Sequence, residues 1–213
     1  VNTYVAPSAC RSIAPPKLTW DAVFADITEV ASIFRVDASA LVADQQARVD
    51  ALLTAQPGLG RSALWYSSGD DTPYVGAGTG APQLVLETLG LRNIAGDVDG
   101  AWAPFNWEVV VDADPSVIVL VDAAWNTAAD KIAGLEANPA TQNLTAVKFK
   151  RYLIVPFAAG GGSDFVGRLI GQKLTDQLGQ TIVVDNRPGA ASLVGTQMAA
   201  RAAPDDYTLI LAD

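Results

Sequence analysis

The 213-residue chain has no histidine, one cysteine and one methionine. Without histidine, the commonest general base and zinc ligand is missing. A lone Cys10 makes neither an internal disulfide nor a thiolate metal cluster. Basic residues are scarce, 14 Lys and Arg against 23 Asp and Glu, for a net charge of −9. Residues 1–150 hold 9 basic and 17 acidic groups, and residues 151–213 hold 5 and 6. An acidic chain without a basic patch disfavours nucleic acid and anionic membrane as partners. No apolar run approaches the roughly 18 residues of a membrane span, so no membrane insertion is expected. The start shows no basic segment followed by an apolar stretch, so no signal peptide is expected in this chain. What is present is a chain half hydrophobic, in short runs broken by 18 Gly and 12 Pro, which is a globular composition.

The pattern predicts a short strand over 2–6 and, after the loop 8–17, a helix over 20–35. Trp20, Phe24, Ile27, Val30 and Phe34 form its stripe and Thr19 its N-cap. Asp37 or Ser39 opens a second helix to about Gln56, with Leu41, Val42, Val49, Leu52 and Leu53 as its stripe and Pro57-Gly58 as its stop. Strands and helices then alternate. Strands are predicted at 61–68, 116–123, 152–157, 181–186 and 207–213, and helices at 81–90, 106–115, 126–136, 163–178 and 190–202. Continuous apolar strands alternating with helices point to an α/β fold with parallel sheet and helices on both faces.

Three runs carry a resemblance. TWDAVFADITEVASIF, ALWYSSGDDTPYVGAGTGAPQLVLETLGLRNIA and WEVVVDADPSVIVLVDAAWNTAADKIAGLEANPA resemble the periplasmic substrate-binding proteins of siderophore- and cobalamin-type ABC importers, and within them the subgroup assigned to a deazaflavin cofactor precursor. The likeness covers residues 1–157. It implies a periplasmic-binding-protein-like fold, two lobes joined by a bridging helix with ligand between them. Residues 1–59 are then a remnant strand, a helix and the bridging helix (38–56), and 60–157 a C-terminal-type lobe. The family's N-terminal lobe is expected to precede residue 1 and to be absent.

From Tyr152 the chain resembles a different family. VPFAAGGGSD, VVDNRPGA and APDDYTL are similar to the opening βαβαβ unit of tripartite tricarboxylate transporter receptors, with Asp206 where that family has Gly. Residues 152–213 are therefore expected to form a half-lobe of that type. The shared strand YLIVPFAA reads as a join between two binding-protein scaffolds, natural or engineered. The expected completion of the half-lobe pairs strand 2–6 with 181–186 and 207–213, because the apolar edge would otherwise be open. A partner chain could cover that edge instead, making a homodimer rather than a monomer.

Several motifs are candidate sites. The AAGGGSDF turn can hold an anion on its backbone amides. The second resemblance implies ligand roles for Gly160, Gly161, Ser163 and Asp164, beside Ala159. The alternative is a tight turn with Ser163 and Asp164 as helix caps. GAGTGA (76–81) matches a dinucleotide fingerprint only superficially, since it does not directly follow a strand. The 65–78 loop leaves the C-terminal end of a strand, where α/β sites gather. There Trp65, Tyr66, Asp70, Asp71 and Tyr74 offer rings and acceptors to a polar, ring-bearing ligand. Trp102, Trp107 and Trp125 also stand near strand ends, as further ligand contacts or as core anchors. By resemblance Glu108 docks onto an importer permease; otherwise it is an ordinary first-turn residue. The carboxylate pairs Asp70–Asp71, Asp112–Asp114 and Asp205–Asp206 read as solvated turns.

No catalytic, metal or resident-cofactor set can be assembled from these residues. The expectation is a non-enzymatic chimera derived from periplasmic binding proteins, with residual ligand binding at most. The alternative is a working extracytoplasmic receptor that delivers a polar cofactor-like molecule or small carboxylate to an importer.

Overall fold

A computed structural model describes residues 16–33, 35–123 and 125–156, together with 167–168, 171–172, 175–176, 179–185 and 201. The expected strands 2–6 and 207–213, the Gly-rich turn and most of helix 190–202 lie outside these residues. Helix α1 spans Trp20–Ile33 and α2 spans Ser39–Ala55. Thr19 caps α1 as predicted, its Oγ1 accepting from Ala22 N at 3.2 Å, and Asp37 Oδ1 accepts from Ser39 N at 2.9 Å before α2. Phe24, Ile27, Val30 and Ala31 of α1 bury against Val36, Ala38 and Val49. The far end of the α2 stripe is open, with Leu52 and Leu53 exposed.

The sheet comprises β1 (Ser62–Ser68), β2 (Tyr74–Gly76), β3 (Arg92–Asn93), β4 (Trp102–Pro104), β5 (Val117–Asp122) and β6 (Tyr152–Pro156). Its order is β4-β2-β1-β5-β6, with β3 also pairing β1. Strands β1, β5 and β6 are parallel, as predicted from the apolar runs, and the two-residue β3 also pairs β1 in parallel. The sheet is nevertheless mixed, because β2 is antiparallel to both β1 and β4. The reason is the short connection 69–73, which allows a hairpin but is too short for a parallel crossover.

Helices α3 (Ala81–Thr88), α4 (Trp107–Ala113), α5 (Ala128–Ala137) and α6 (Thr145–Lys148) complete the described architecture. Alternation along β1 and β5 divides the core. Leu64, Tyr66, Ile118 and Leu120 face one layer with Val110, Leu135 and Val147, while Ala63 and Val119 face Leu86 on the other side. Each Leu, Ile or Val among these, fully buried, contributes about 1.5–3 kcal/mol. Buried Asn93 ties β3, β2 and α3 together. Its amide donates to Gly76 O at 3.0 Å and Gln83 Oε1 at 2.9 Å, and its Oδ1 accepts from Ala95 N. The α1 entrance is fixed to α3 by Trp20 Nε1 donating to Thr88 Oγ1 at 2.8 Å and by the Lys17–Glu87 pair at 2.6 Å.

One predicted strand is not formed. Residues 181–185 carry no strand, whereas 167–168, 171–172 and 175–176 are helical within the predicted helix 163–178. Ile182 N donates to Thr175 Oγ1 at 3.0 Å, and its side chain packs against the α1–α2 cluster. The Ile182 amide is thus committed to Thr175, and the expected ladder partners 2–6 and 207–213 lie outside the described residues.

Two glycines separate packing from propensity. A Cβ on Gly78 would run into the carbonyl oxygens of Gly96 and Val98, whereas one on Gly134, inside α5, meets open space. Gly78→Ala should therefore lower unfolding stability by more than about 1–3 kcal/mol, the usual cost of overpacking. Gly134→Ala should raise stability by about 0.5–1 kcal/mol through helix propensity. Urea unfolding monitored by circular dichroism measures both, and equal effects would contradict this assignment.

Candidate functional site

The C-terminal ends of parallel β1 and β5 lie side by side and give rise to the loops 69–73 and 123–127. Such ends are where α/β folds place ligands. The first loop carries Asp70 and Asp71, both exposed. It is anchored on both sides. Tyr66 Oη donates to Gly69 O at 3.1 Å, and Trp107 Nε1 donates to Asp70 O at 2.6 Å. The Tyr66 and Trp107 rings meet edge to face, 5.3 Å apart. Asn106 caps α4 by accepting from Glu108 N at 2.7 Å, which fixes Trp107 in its first turn.

The second loop is a tight turn. Ala123 and Asn126 exchange backbone hydrogen bonds of 3.3 and 3.0 Å, and Trp125 between them is 66% exposed. Thr127 caps α5 by accepting from Asp130 N at 3.1 Å, and Asp122 Oδ1 accepts from Ala128 N at 2.8 Å. Between the first loop and α5 lies a cavity of about 80 Å³ lined by Tyr66, Asp70, Trp107, Asp130 and Lys131, among others.

The predicted ligand residues are distributed unevenly. Asp70 and Trp125 stand at this sheet end. Trp65 and Tyr66 point to opposite faces, as neighbours on a strand must. Tyr66 is buried in the core beneath the loop. Trp65 is half-buried on the α3 side beside Leu91 and Val155, and its Nε1 is buried without a hydrogen-bond partner. Tyr74 and Trp102 stack 6.3 Å apart on the outer strands β2 and β4, both partly exposed. Glu108 is exposed, beside exposed Val109 and Val111. Gly160, Gly161, Ser163 and Asp164 lie outside the described residues.

GAGTGA offers no phosphate cradle. The amides of Ala77, Gly78 and Thr79 already donate to Ala101, Val98 and Gly100 carbonyls. The Asp112–Asp114 pair is not simply a solvated turn either. Asp114 accepts from Thr145 N at 2.7 Å and from Thr145 Oγ1 at 2.6 Å, capping α6. Among the described residues, no group of three or more His, Cys, Asp or Glu could hold a metal ion, and no helix is long and apolar enough to cross a membrane.

Sequence reading missed Lys131. Its ammonium is buried and donates to Val121 O at 2.6 Å and Asn126 O at 2.7 Å. Burial pushes its pKa below the usual lysine value, against the pull of Asp122, Asp130 and Asp70. The available signal was its place in the apolar stripe of α5, between Ala128 and Leu135.

Burial, reinforced by Asp70, pushes the Tyr66 phenol up to about 12, and burial with Glu136 does the same for Tyr152. A folded pKa raised from 10.0 to about 12 gives a contribution to stability that is complete below pH 10.0 and lost as pH rises through about 12. Tyr66→Phe should remove one late-titrating phenol from an ultraviolet alkaline titration. It should also cost about 0.5–1.5 kcal/mol at neutral pH through the lost bond to Gly69. If that phenol titrates near 10.0, the buried placement of Tyr66 is wrong.

Comparison with known proteins divides the chain. The model described as Periplasmic binding protein matches residues 3–159, and that described as Tripartite tricarboxylate transporter family receptor matches residues 166–213. A periplasmic binding protein from Veillonella parvula is 27% identical, with a TM-score of 0.57 over 76% of this chain and 58% of that one. A protein described as an ABC-type Fe3+-hydroxamate transport system from Saccharomonospora viridis is 25% identical, with a TM-score of 0.63 over 84% of this chain and 62% of its own. Protein BugT of Bordetella pertussis is 48% identical over 59 residues, which is 28% of this chain and 18% of BugT. The chain thus spans under a fifth of BugT and about three fifths of the two solved structures.

Proposed function

The chain belongs to the periplasmic binding protein family over residues 3–159, and from that premise we propose that it is the ligand-holding receptor of an extracytoplasmic importer and not an enzyme. The observation that supports this most is the sheet end itself. Two anchored loops at the C-terminal ends of neighbouring parallel strands hold Asp70, Asp71 and the exposed Trp125. Helix α2 takes the role of the bridging helix, and Glu108, with Val109 and Val111 beside it, that of the permease docking surface. Tyr74 and Trp102 are a second aromatic surface on the outer strands, and Trp65 backs it from the sheet.

The electrostatics narrow the ligand class. Asp70, Asp71, Asp122 and Asp130 lie on or beside the two loops, and the nearby Lys131 is committed to carbonyls. A free carboxylate ligand would meet like charges there, whereas a neutral or cationic ligand would not. An exposed indole favours a flat ring or a cation over its face. The ligand is therefore a polar ring system of the deazaflavin type or a ferric chelate such as the hydroxamates named for the Saccharomonospora protein.

A second reading rests on the meeting of two family models between residues 159 and 166. In it the chain is a recombined or engineered scaffold with residual binding, and Gly160, Gly161, Ser163 and Asp164 bring the anion-binding turn of the second family.

Calorimetric titration separates the readings, with a ferric trihydroxamate, a deazaflavin and citrate as probes. The receptor reading expects saturable binding of the chelate or the deazaflavin, weakened about tenfold or more by Trp125→Ala, as for a buried aromatic anchor. Binding of none of the three supports the scaffold. Citrate binding indifferent to Trp125→Ala would move the site to the Gly-rich turn.

A further inference from the structure

Among the described residues, Lys131 is a buried charge near the sheet end to which the receptor reading gives no task. It is only 4% exposed, in a helix stripe where an apolar residue would pack. Burying an ammonium is costly unless its donors are satisfied. Two of its three N–H donors are satisfied here, by Val121 O at 2.6 Å and Asn126 O at 2.7 Å. Those two carbonyls flank the turn that carries Trp125. Ala123 and Asn126 close the turn through their backbone, and Asp122 ties its base to Ala128 N. A methionine at 131 would fill the stripe without the desolvation cost, yet would leave both carbonyls without this donor. What the lysine adds over an apolar residue is therefore its hold on the turn.

That hold has a consequence for recognition. A loop tip ordinarily opens at little cost. A large aromatic held rigidly in the open loses little entropy when a ligand stacks on it, which raises affinity through preorganisation. We infer that Lys131 is a positioning residue of the ligand wall: its ammonium fixes the 123–126 turn from beneath, so that Trp125 is presented at the sheet end in its binding position. The inference rests on the receptor reading for the purpose of the turn, but the clamp itself is tested without ligand.

Amide hydrogen exchange on the full chain decides it. In the wild type, the Ala123 and Asn126 amides are expected to be protected. In Lys131→Met, both should exchange about tenfold faster or more, the scale expected when a buried acceptor loses its partner. The amides of β1 and of α5 beyond Leu135 should keep their protection. Unchanged protection at 123 and 126 overturns the inference. So does uniform loss through β5 and α5, which would make Lys131 merely a core residue. If Lys131→Met does not fold, the wild type still decides, because exchange of Ala123 and Asn126 at the rate of an open loop also overturns the clamp. Calorimetry of the folded variant with the ferric trihydroxamate then reads the receptor side. Locally faster exchange, with neither the chelate nor the deazaflavin bound by wild type or variant, leaves the clamp standing and removes the receptor reading instead.

Discussion

The parallel ladder between β1 and β5 is the constraint on which the rest of the structure depends. Ala63 to Tyr66 lie beside Val117 to Leu120, and every residue in the two runs except Val117 and Trp65 is buried. Two-sided burial removes any freedom of register, since a slip of one residue would turn Leu64 and Ile118 out of one core and Ala63 and Val119 out of the other. With register fixed, both strands end at the same level. The 69–73 and 123–127 loops must then emerge together. The site is thus a product of strand pairing before any side chain in a loop is considered.

Much of this fold was legible because its signals are local. The helix cap Thr19, the unbroken strand SVIVLVDA and the Pro57-Gly58 stop each act over a few residues. Strands β2, β3 and β4 were not legible. They are two or three residues long, too short for any periodicity, and they exist because β1 offers an edge to β2 and β3, and β2 in turn to β4. The expectation for 181–186 failed for a related reason. Its alternation is compatible with a strand, but burial of Ile182 on α1–α2 is a tertiary choice that its own sequence does not record.

The site was legible in outline and wrong in grouping. The stretch 65–78 was expected to leave a strand end and Trp125 to stand near one, and the structure has loops 69–73 and 123–127 following β1 and β5. Listing Trp65 and Tyr66 together ignored the alternation that the same strand assignment required. Tyr66 instead supports the loop from below through Gly69. Lys131 was passed over because a lysine in a helix is usually a solvated residue. Only its coincidence with the buried positions 128 and 135 marked it as unusual.

The two matched segments meet in more than sequence. Strand β6, inside the first match, lies parallel to β5 through five paired residues, Ile118 with Tyr152 to Asp122 with Pro156. Within the second match, a Cβ on buried Gly171 would lie in ordinary van der Waals range of Val184 and slightly closer to Ile182, so the helical stretch and the following segment are close-packed. Ile182 in turn reaches the cluster of Phe24, Ile27 and Val30. A tethered but independent segment would have no reason to bury an isoleucine there. The hydrophobic effect is indifferent to ancestry, and an amphipathic pair of helices accepts whichever apolar side chain the chain returns to it. The contact of Ile182 with α1–α2 therefore needs only apolar surface on both sides. Strand β6 extends the sheet beyond the β1–β5 ladder, and by pairing with β5 it supports the strand whose end opens the 123–127 loop.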